Sequence, residues 1–264
     1  MLKTRTYLGL LTPCLALHGS QRQILDVGCG GGGVTNLLAN QHNVFIDAID
    51  SCKEIFTEAV KSFGHRKNIK FSNLSADKIN YENKYNWIFS NSSAYYLGDL
   101  IDIFSNSSAY YLGDLIDIFS KFKKALKPNG KLAIQAQYKT SPQIKRCFDL
   151  ILSDPLIGTT FKKHKFPVNK LNGKQFAEAL LLAGFATPEF KQITHRTMHS
   201  VDEIMTIFYS GWHVPWLLNG YSEPVNTEYK VNFKSLLYQG LLKQADINNK
   251  LWLEVPRVYV IANI

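Results

Sequence analysis

A glycine-rich turn directly after a short apolar run is the feature that most constrains the fold of this chain. Residues 24–35 read ILDVGCGGGGVT, and five of the six residues from 28 to 33 are glycine. Glycine tolerates positive φ and lets another group approach the backbone closely, so the run predicts a strand, a tight turn and a helix. A ligand laid on such a turn meets bare peptide N–H groups and the helix N-terminus.

The acidic residue Asp26, just before the turn, helps to distinguish between two classes of ligand. The spacing Gly28-x-Gly30-x-x-Gly33 satisfies the dinucleotide fingerprint, but Asp26 stands two residues before the first glycine, where the predicted strand ends. A carboxylate at that point repels a pyrophosphate and suits a ligand that carries positive charge nearby. The sequence therefore favours a cationic ligand over a nicotinamide dinucleotide.

A second acidic residue ends the next predicted strand. Residues 43–50 (NVFIDAID) form an apolar run bounded by polar residues, which predicts a buried parallel strand that closes with Asp50. A carboxylate at this position can hydrogen-bond both hydroxyls of a ribose. Asp50 or Ser51 can also cap the helix predicted over residues 52–63, and the two roles of Asp50 are compatible.

The run Asp-x-Gly-x-Gly-x-Gly at positions 26–32 resembles motif I of the class I S-adenosylmethionine (SAM) dependent methyltransferases, whose cofactor carries an ammonium and a sulfonium. This resemblance covers about residues 22–137. It implies an α/β fold, a Rossmann-like doubly wound sheet of seven strands with the last strand antiparallel, and SAM as the cofactor. It also implies a set of cofactor-binding residues at successive strand ends: Asp26, Gly28, Cys29, Gly30, Gly32, Asp50, Ser51, Ser75, Ala76, Ser90 and Asn91.

The third predicted strand departs from the family pattern. Residues 68–77 (NIKFSNLSAD) read as a strand and its exit loop, where the family usually has an acid followed by an alanine beside the adenine. Here Ser75 and Ala76 take those two places, and the acid appears as Asp77. Either Ser75 or Asp77 is then the candidate partner of the adenine amino group.

An exact tandem repeat follows within the fourth predicted strand, residues 85–91. Residues 88–102 (IFSNSSAYYLGDLID) are followed at once by the same fifteen residues, 103–117. The centre of a parallel sheet has room for one copy, whereas loops absorb insertions readily. We expect the first copy to form the strand and the second to form a loop or to extend the next helix, although the second copy can also supply the strand.

The rest of the chain completes one predicted domain, residues 1–264. Residues 128–130 (PNG) predict a turn before a fifth strand at 131–137, and Gly184 ends a helix at 173–183. Strands are predicted at 189–197 and 257–262. The segment between them, residues 200–253, is too long for a hairpin and predicts a helical insertion, with helices at 202–210 and 233–244, that covers the substrate.

The acceptor is suggested by a looser resemblance to small-molecule carboxyl methyltransferases of the trans-aconitate and malonyl-carrier-protein types. Its features are Ser90-Asn91 followed by an aromatic pair, and the tract at 200–212. It implies O-methylation of a carboxylate on a small, acidic acceptor. An arginine can bind a carboxylate through a bidentate fork, although Arg196 can equally be an exposed strand residue and the tryptophans can be core. The candidate acceptor-site residues are Tyr95, Tyr96, Trp212, His213, Trp216 and Arg196.

The charge, the cysteine content and the apolar runs of the chain limit its possible partners and its cellular compartment. The chain carries a net charge of +9, but its basic residues are scattered, which favours a solvated surface over nucleic-acid binding. Its four cysteines have no paired or metal-like spacing, and we expect a reduced, cytoplasmic protein. No apolar run is long enough to cross a membrane. The spacing of His195, His199 and His213 fits no metal-ligand pattern, so no metal is expected.

Three alternative functions remain at this point. A catalytically impaired SAM-fold binding protein is suggested by the repeat and by the short lead-in of 23 residues before the first strand, which leaves the completeness of a cofactor lid open. An RNA methyltransferase would need a basic groove and salt-sensitive binding. A nicotinamide-dependent oxidoreductase is opposed by Asp26. The oligomeric state is not determined by the sequence.

Overall fold

A computed structural model of the protein describes residues 21–91, 113–163, 170–209, 217 and 224–264. Strands and helices alternate along these residues, as expected for an α/β fold. The strands are β1 (Arg22–Val27), β2 (Val44–Asp50), β3 (Ile69–Asn73), β4 (Tyr85–Asn91), β5 (Leu126–Gln137), β6 (Ala186–Ser200) and β7 (Lys250–Asn263). The α-helices are α1 (Gly33–Leu38), α2 (Lys53–Phe63), α3 (Gly113–Ala125), α4 (Pro142–Leu152), α5 (Gly158–Lys162), α6 (Gly173–Leu182), α7 (Val201–Ile207) and α8 (Thr227–Leu242).

The strands form one sheet of seven in the order β3-β2-β1-β4-β5-β7-β6. Strands β1 to β5 pair in parallel, and β7 lies antiparallel between β5 and β6. The fold class and the antiparallel last strand are therefore confirmed. The strand order reverses between β1 and β4, and open α/β sheets bind their ligands at such a point, outside the carboxyl ends of the strands.

Side chains alternate strictly across the sheet and separate its two faces. On β7, Val258, Val260 and Ala262 pack in the core shared with Phe119 and Phe122 of α3 and with α6. Tyr259 points to the other face and packs with residues of β1, β2 and β4, among them Ile24 and Phe89. We call this second face the site face, because Asp26 and Asp50 lie on it by the same alternation.

Strands β6 and β7 extend beyond the carboxyl end of β5. Gln137, the last residue of β5, pairs with Arg257, whereas the β6–β7 ladder continues to the pair of Ser200 with Lys250. On the site face of this extension, Leu251, Leu253 and Val255 pack with α4, α7 and α8 in a separate cluster. The helices that follow β6 thus lie over the carboxyl side of the sheet, where the sequence predicted a covering insertion.

The tandem repeat is divided between two elements. The first copy supplies Ile88–Asn91 of the central strand β4, as predicted, and the end of the second copy forms the start of α3. Residues 92–112 lie outside the described residues. The turn predicted at 128–130 is instead a bulge within β5: Tyr85 pairs with Leu126 and Trp87 with Lys131, and Asn129 adopts a φ of 63° to absorb the extra residues.

Candidate functional site

The glycine turn has the positive φ angles that its sequence predicts. Gly28, Gly30 and Gly32 have φ values of 71°, 54° and 77°, a region that side chains rarely tolerate. The N–H groups of Gly28 and Cys29 both donate to the carbonyl of Ile49, over 2.8 and 3.0 Å. These bonds fasten the turn to β2, so the turn is held in place before any ligand arrives.

Two glycines of the turn lie against open space, and one is packed. A Cβ added to Gly31 or Gly33 would meet no atom within 4 Å. A Cβ on Gly32 would lie 2.9 Å from the Phe63 ring and 3.3 Å from Cβ of Ala59 in α2. The turn therefore has an inner side pressed against α2 and an outer side whose peptide groups are open to a ligand.

Asp26 is buried at the end of β1, with 1% of its surface exposed. The Thr35 hydroxyl of α1 donates to Asp26 Oδ2 over 2.6 Å. Burial, together with the nearby negative charge of Asp50, raises the pKa of the Asp26 carboxyl to about 7, and the Thr35 hydrogen bond only partly offsets this. A positive charge bound beside Asp26 would favour its ionised form.

Asp50 at the end of β2 holds the turn and the next helix at once. The Gly30 N–H donates to Asp50 Oδ2 over 2.8 Å, and the Cys52 N–H donates to Oδ1 over 2.9 Å. The partly exposed carboxylate keeps lone pairs for further donors. The N-cap of α2 is Cys52 rather than Asp50 or Ser51, so the predicted capping role becomes a bond to the N-cap peptide itself.

The end of β3 and the residue that follows it are hydrogen-bonded to the end of β2. Asn73 Nδ2 donates to the Asp50 carbonyl over 2.7 Å, and the Leu74 N–H donates to it over 3.1 Å. Ser75 is then the N-cap of a short 3₁₀ turn, Ala76–Lys78, in which Ala76 is buried. Hydrogen bonds from Ser75 and Lys78 lower the pKa of Asp77.

The end of β4 supplies Ser90 and Asn91. By register Phe89 lies beside Asp26, so Asn91 lies on the site face one row further toward the carboxyl end, while the buried Ser90 points to the other face. Cys29 of the turn is also buried, and desolvation with two nearby carboxylates raises the pKa of its thiol. Cys29 therefore stays a neutral thiol rather than a nucleophile.

The predicted acceptor residues are only partly described. Tyr95, Tyr96, Trp212, His213 and Trp216 lie outside the described residues. Arg196 lies on the β6 extension, with its guanidinium 4.7 Å from the centre of the Trp252 ring and 3.9 Å from a carboxylate oxygen of Glu254. The alternation of β6 places it on the face opposite Asp26, so the structure does not bring Arg196 together with the glycine turn.

Sequence reasoning missed several polar residues on the site face. Thr35 has no exposed surface and orients Asp26, yet in the sequence it reads only as a helix residue. Gln135 of β5 and Arg257 of β7 are 2% and 7% exposed, although both residue types are usually found at surfaces. Only their positions in the sequence could have indicated this burial. Both residues belong to predicted strands and lie near the carboxyl end of β5.

A metal-ligand cluster and a membrane-spanning helix are both absent from the part of the chain that the structure describes. Within it, no group of three or more His, Cys, Asp and Glu residues is placed to hold a metal ion. None of its helices combines the length and the apolar character that crossing a bilayer requires.

Comparison with known proteins finds a family match over the part of the chain that carries the glycine turn. Residues 24–130 match the family described as methyltransferase domain. Over 86 residues the chain is 34% identical to malonyl-[acyl-carrier protein] O-methyltransferase 1 of Ilyobacter polytropus. That match covers 31% of this chain and 32% of the relative, so the chain spans about a third of the curated relative it matches.

Solved structures show the same fold over almost the whole chain. A Bacillus halodurans protein, for which methyltransferase activity is itself inferred, has a TM-score of 0.58 at 16% identity over 98% of both chains. Phosphoethanolamine N-methyltransferase 2 of Haemonchus contortus, solved with S-adenosylhomocysteine, has a TM-score of 0.59 at 15% identity, over 98% of this chain and 52% of that one. At these identities the likeness establishes the fold, not the substrate.

Proposed function

We propose that the chain is a class I SAM-dependent methyltransferase that transfers a methyl group from SAM to a small-molecule acceptor, as its partial family match and its fold support. The observation that carries the proposal is the glycine turn with a carboxylate on either side. Asp26 and Asp50 end neighbouring parallel strands on the same face, and Asp50 accepts a hydrogen bond from the turn. This is a site with negative charge and open peptide groups.

The charge of the site discriminates between cofactors. The two carboxylates lie close enough for the charge of Asp50 to raise the pKa of Asp26. A cation bound between them relieves this repulsion, whereas a pyrophosphate adds to it. SAM carries an ammonium and a sulfonium, so the electrostatics favour SAM over a nicotinamide dinucleotide.

The residues present fit SAM along the carboxyl edge of the sheet. The outer side of the turn, at Gly31 and Gly33, offers peptide groups to the methionine part. Asp50 is the proposed partner of the ribose hydroxyls, and Ser75, Ala76 and the neighbouring Asp77, which follow β3, are the proposed neighbours of the adenine. SAM supplies an electrophilic methyl group on a sulfonium whose thioether leaves as a neutral group.

The chain's own contribution to the chemistry is positioning. A direct displacement needs the acceptor atom in line with the methyl group and needs water excluded, and no dedicated base is required when the acceptor is already a carboxylate. We propose that Asn91, on the site face at the end of β4, lies beside this position. The helices packed on the β6–β7 extension lie above the carboxyl edge, where they can shield an acceptor from water.

We propose a carboxylate as the acceptor, so that the reaction is an O-methylation. The malonyl-[acyl-carrier protein] O-methyltransferase of Ilyobacter polytropus, a relative over about a third of its length, supports this choice by its name. The aromatic pair Tyr95 and Tyr96 and the residue Trp212 remain proposed acceptor contacts. The basic net charge of +9 is compatible with an acidic acceptor.

The experiment is methyl transfer from radiolabelled SAM to a panel of small mono- and dicarboxylic acids, each paired with its neutral amide. We expect labelled ester from at least one acid, and none from the amides. Asp50→Ala should weaken SAM binding at least tenfold, because the ribose contact and the bond to Gly30 are both lost. Exclusive labelling of amines or of RNA would contradict the carboxylate acceptor.

A further inference from the structure

A buried arginine lies on the site face beyond the cofactor residues. Arg257 of β7 is 7% exposed and pairs with Gln137, the last residue of β5, on one side and with Ile193 of β6 on the other. The alternation of β7 places it on the same face as Tyr259, which packs with Phe89 and Ile24. Arg257 therefore lies at the carboxyl edge of the sheet, on the face that carries Asp26.

The strand register gives the distance from Arg257 to Asn91, the proposed neighbour of the transferred methyl group. Asn91 pairs with Gln135, and Gln135 pairs with Tyr259, so these three residues form one row across the site face. Arg257 lies two strands from Asn91 and one row further toward the carboxyl edge. With ordinary strand spacing and rise, the Cα atoms are about 12 Å apart. An arginine side chain and a small acid can together span that distance.

Arg257 also lies where two apolar clusters meet. Tyr259, one row below Arg257, and Ile193, beside it, pack with the core on the cofactor side, while Val255, one row above, packs with helices α4, α7 and α8. Concave sites for small molecules are lined mainly by apolar groups with a few converging polar groups. The junction offers Arg257 apolar surroundings of this kind, and helices α4, α7 and α8 pack on the strand extension directly beyond it.

Among the described residues, His195 and Tyr259 supply polar groups next to Arg257 on the site face. His195 pairs with Val255 in the row above Arg257, and its Nε2 lies 2.7 Å from the Tyr259 hydroxyl. Burial, and then the charge of Arg257, lower the pKa of His195, so the imidazole is neutral near pH 7. The guanidinium of Arg257 has five N–H donors in a planar fork, and this geometry suits an anionic group.

We propose that Arg257 binds an anionic group of the acceptor, a carboxylate that is not the one methylated, and so selects dicarboxylic acids. This inference rests on the proposed function and deepens it. Arg257 replaces Arg196 in the role that the sequence suggested, because Arg196 faces away from the site face. The planar guanidinium recognises a carboxylate through two parallel hydrogen bonds, which a lysine ammonium cannot reproduce.

The test measures binding to the complex with S-adenosylhomocysteine, so that turnover is not needed. Malonate, glutarate and neutral malonamide are titrated calorimetrically into the wild-type complex and into the complexes of Arg257→Lys, Arg257→Gln and Arg196→Lys. Arg146→Lys is the matched control, since Arg146 is an exposed residue of α4 that donates to Gln244. Thermal unfolding of each variant checks that it is folded.

We expect one dicarboxylate to bind the wild-type complex and malonamide not to bind. Arg257→Lys should weaken the dicarboxylate at least tenfold and Arg257→Gln more, with the affinity for S-adenosylhomocysteine unchanged. Equal affinity in the Arg257 variants, or the loss appearing in Arg196→Lys instead, overturns the proposal. If the Arg257 variants do not fold, equal binding of malonate and malonamide to the wild type overturns it.

The outcomes also separate this inference from the proposed function. A wild-type protein that binds S-adenosylhomocysteine but neither dicarboxylate refutes the anion site and leaves the methyltransferase proposal standing. If the wild-type protein does not bind S-adenosylhomocysteine, the proposed function itself is contradicted.

Discussion

Replacing Asp26 by asparagine is expected to stabilise the protein while it abolishes cofactor binding. Asp26 is 1% exposed, and its burial raises the pKa of the carboxyl from 3.8 to about 7. Between these values the folded state holds a proton that the unfolded chain has lost, so stability falls as the pH rises through this range. Asparagine is neutral at every pH and its carbonyl still accepts the hydrogen bond from Thr35.

The size of the effect follows from the two pKa values. The difference between 3.8 and about 7 corresponds to about 4 kcal/mol of unfolding free energy once the carboxyl is ionised in both states. About 2.5 kcal/mol of this cost develops between pH 5 and pH 8, by the same linkage relation. The stabilisation of Asp26→Asn over the wild type should therefore be about 2.5 kcal/mol larger at pH 8 than at pH 5.

The assay is urea unfolding of the cofactor-free protein at both pH values, with Asp50→Asn as the matched control. Asp50 accepts N–H bonds on both of its oxygens, and an amide has only one carbonyl oxygen, so the control should be less stable than the wild type. If Asp26→Asn destabilises the protein by the same amount at pH 5 and at pH 8, the reasoning on Asp26 is refuted.

Two further predictions concern the turn and its charge. Gly32→Ala should lower the unfolding free energy by about 1–3 kcal/mol, because its φ is 77° and its Cβ would press on Phe63. Gly31→Ala should change stability little but weaken SAM binding; equal destabilisation of both variants in urea would contradict the packing described. SAM binding near pH 7 should release a proton from Asp26, seen as a calorimetric enthalpy that depends on the buffer's ionisation enthalpy; the same enthalpy in every buffer would contradict this.

The geometry of the proposed cofactor site could be predicted from the sequence because its elements are local. Asp26, the glycines and Asp50 lie within 25 residues, and the strand–turn–helix pattern fixes their geometry without help from the rest of the chain. The same locality explains the correct placement of the first repeat copy, since β4 follows β3 at the usual distance. Contacts between neighbours in sequence are the ones that patterns predict.

The acceptor half could not be read in this way because it depends on which face a strand residue takes. Arg196 and Arg257 both lie in predicted strands, and only the register of β6 against β7 shows that they face opposite ways. The lengths of these strands were also underestimated, since the pairs beyond Gln137 are stabilised by helices of the insertion. Burial of an arginine depends on such distant packing.

We propose that the turn between Asp26 and Asp50 holds SAM. The most direct test is calorimetric titration of the purified protein with SAM and, in parallel, with NAD, together with Asp26→Ala and Asp50→Ala variants. We predict that SAM binds with micromolar affinity, that both variants lose this binding, and that NAD does not bind. Binding of NAD in place of SAM, or SAM affinity unchanged in both variants, would contradict it.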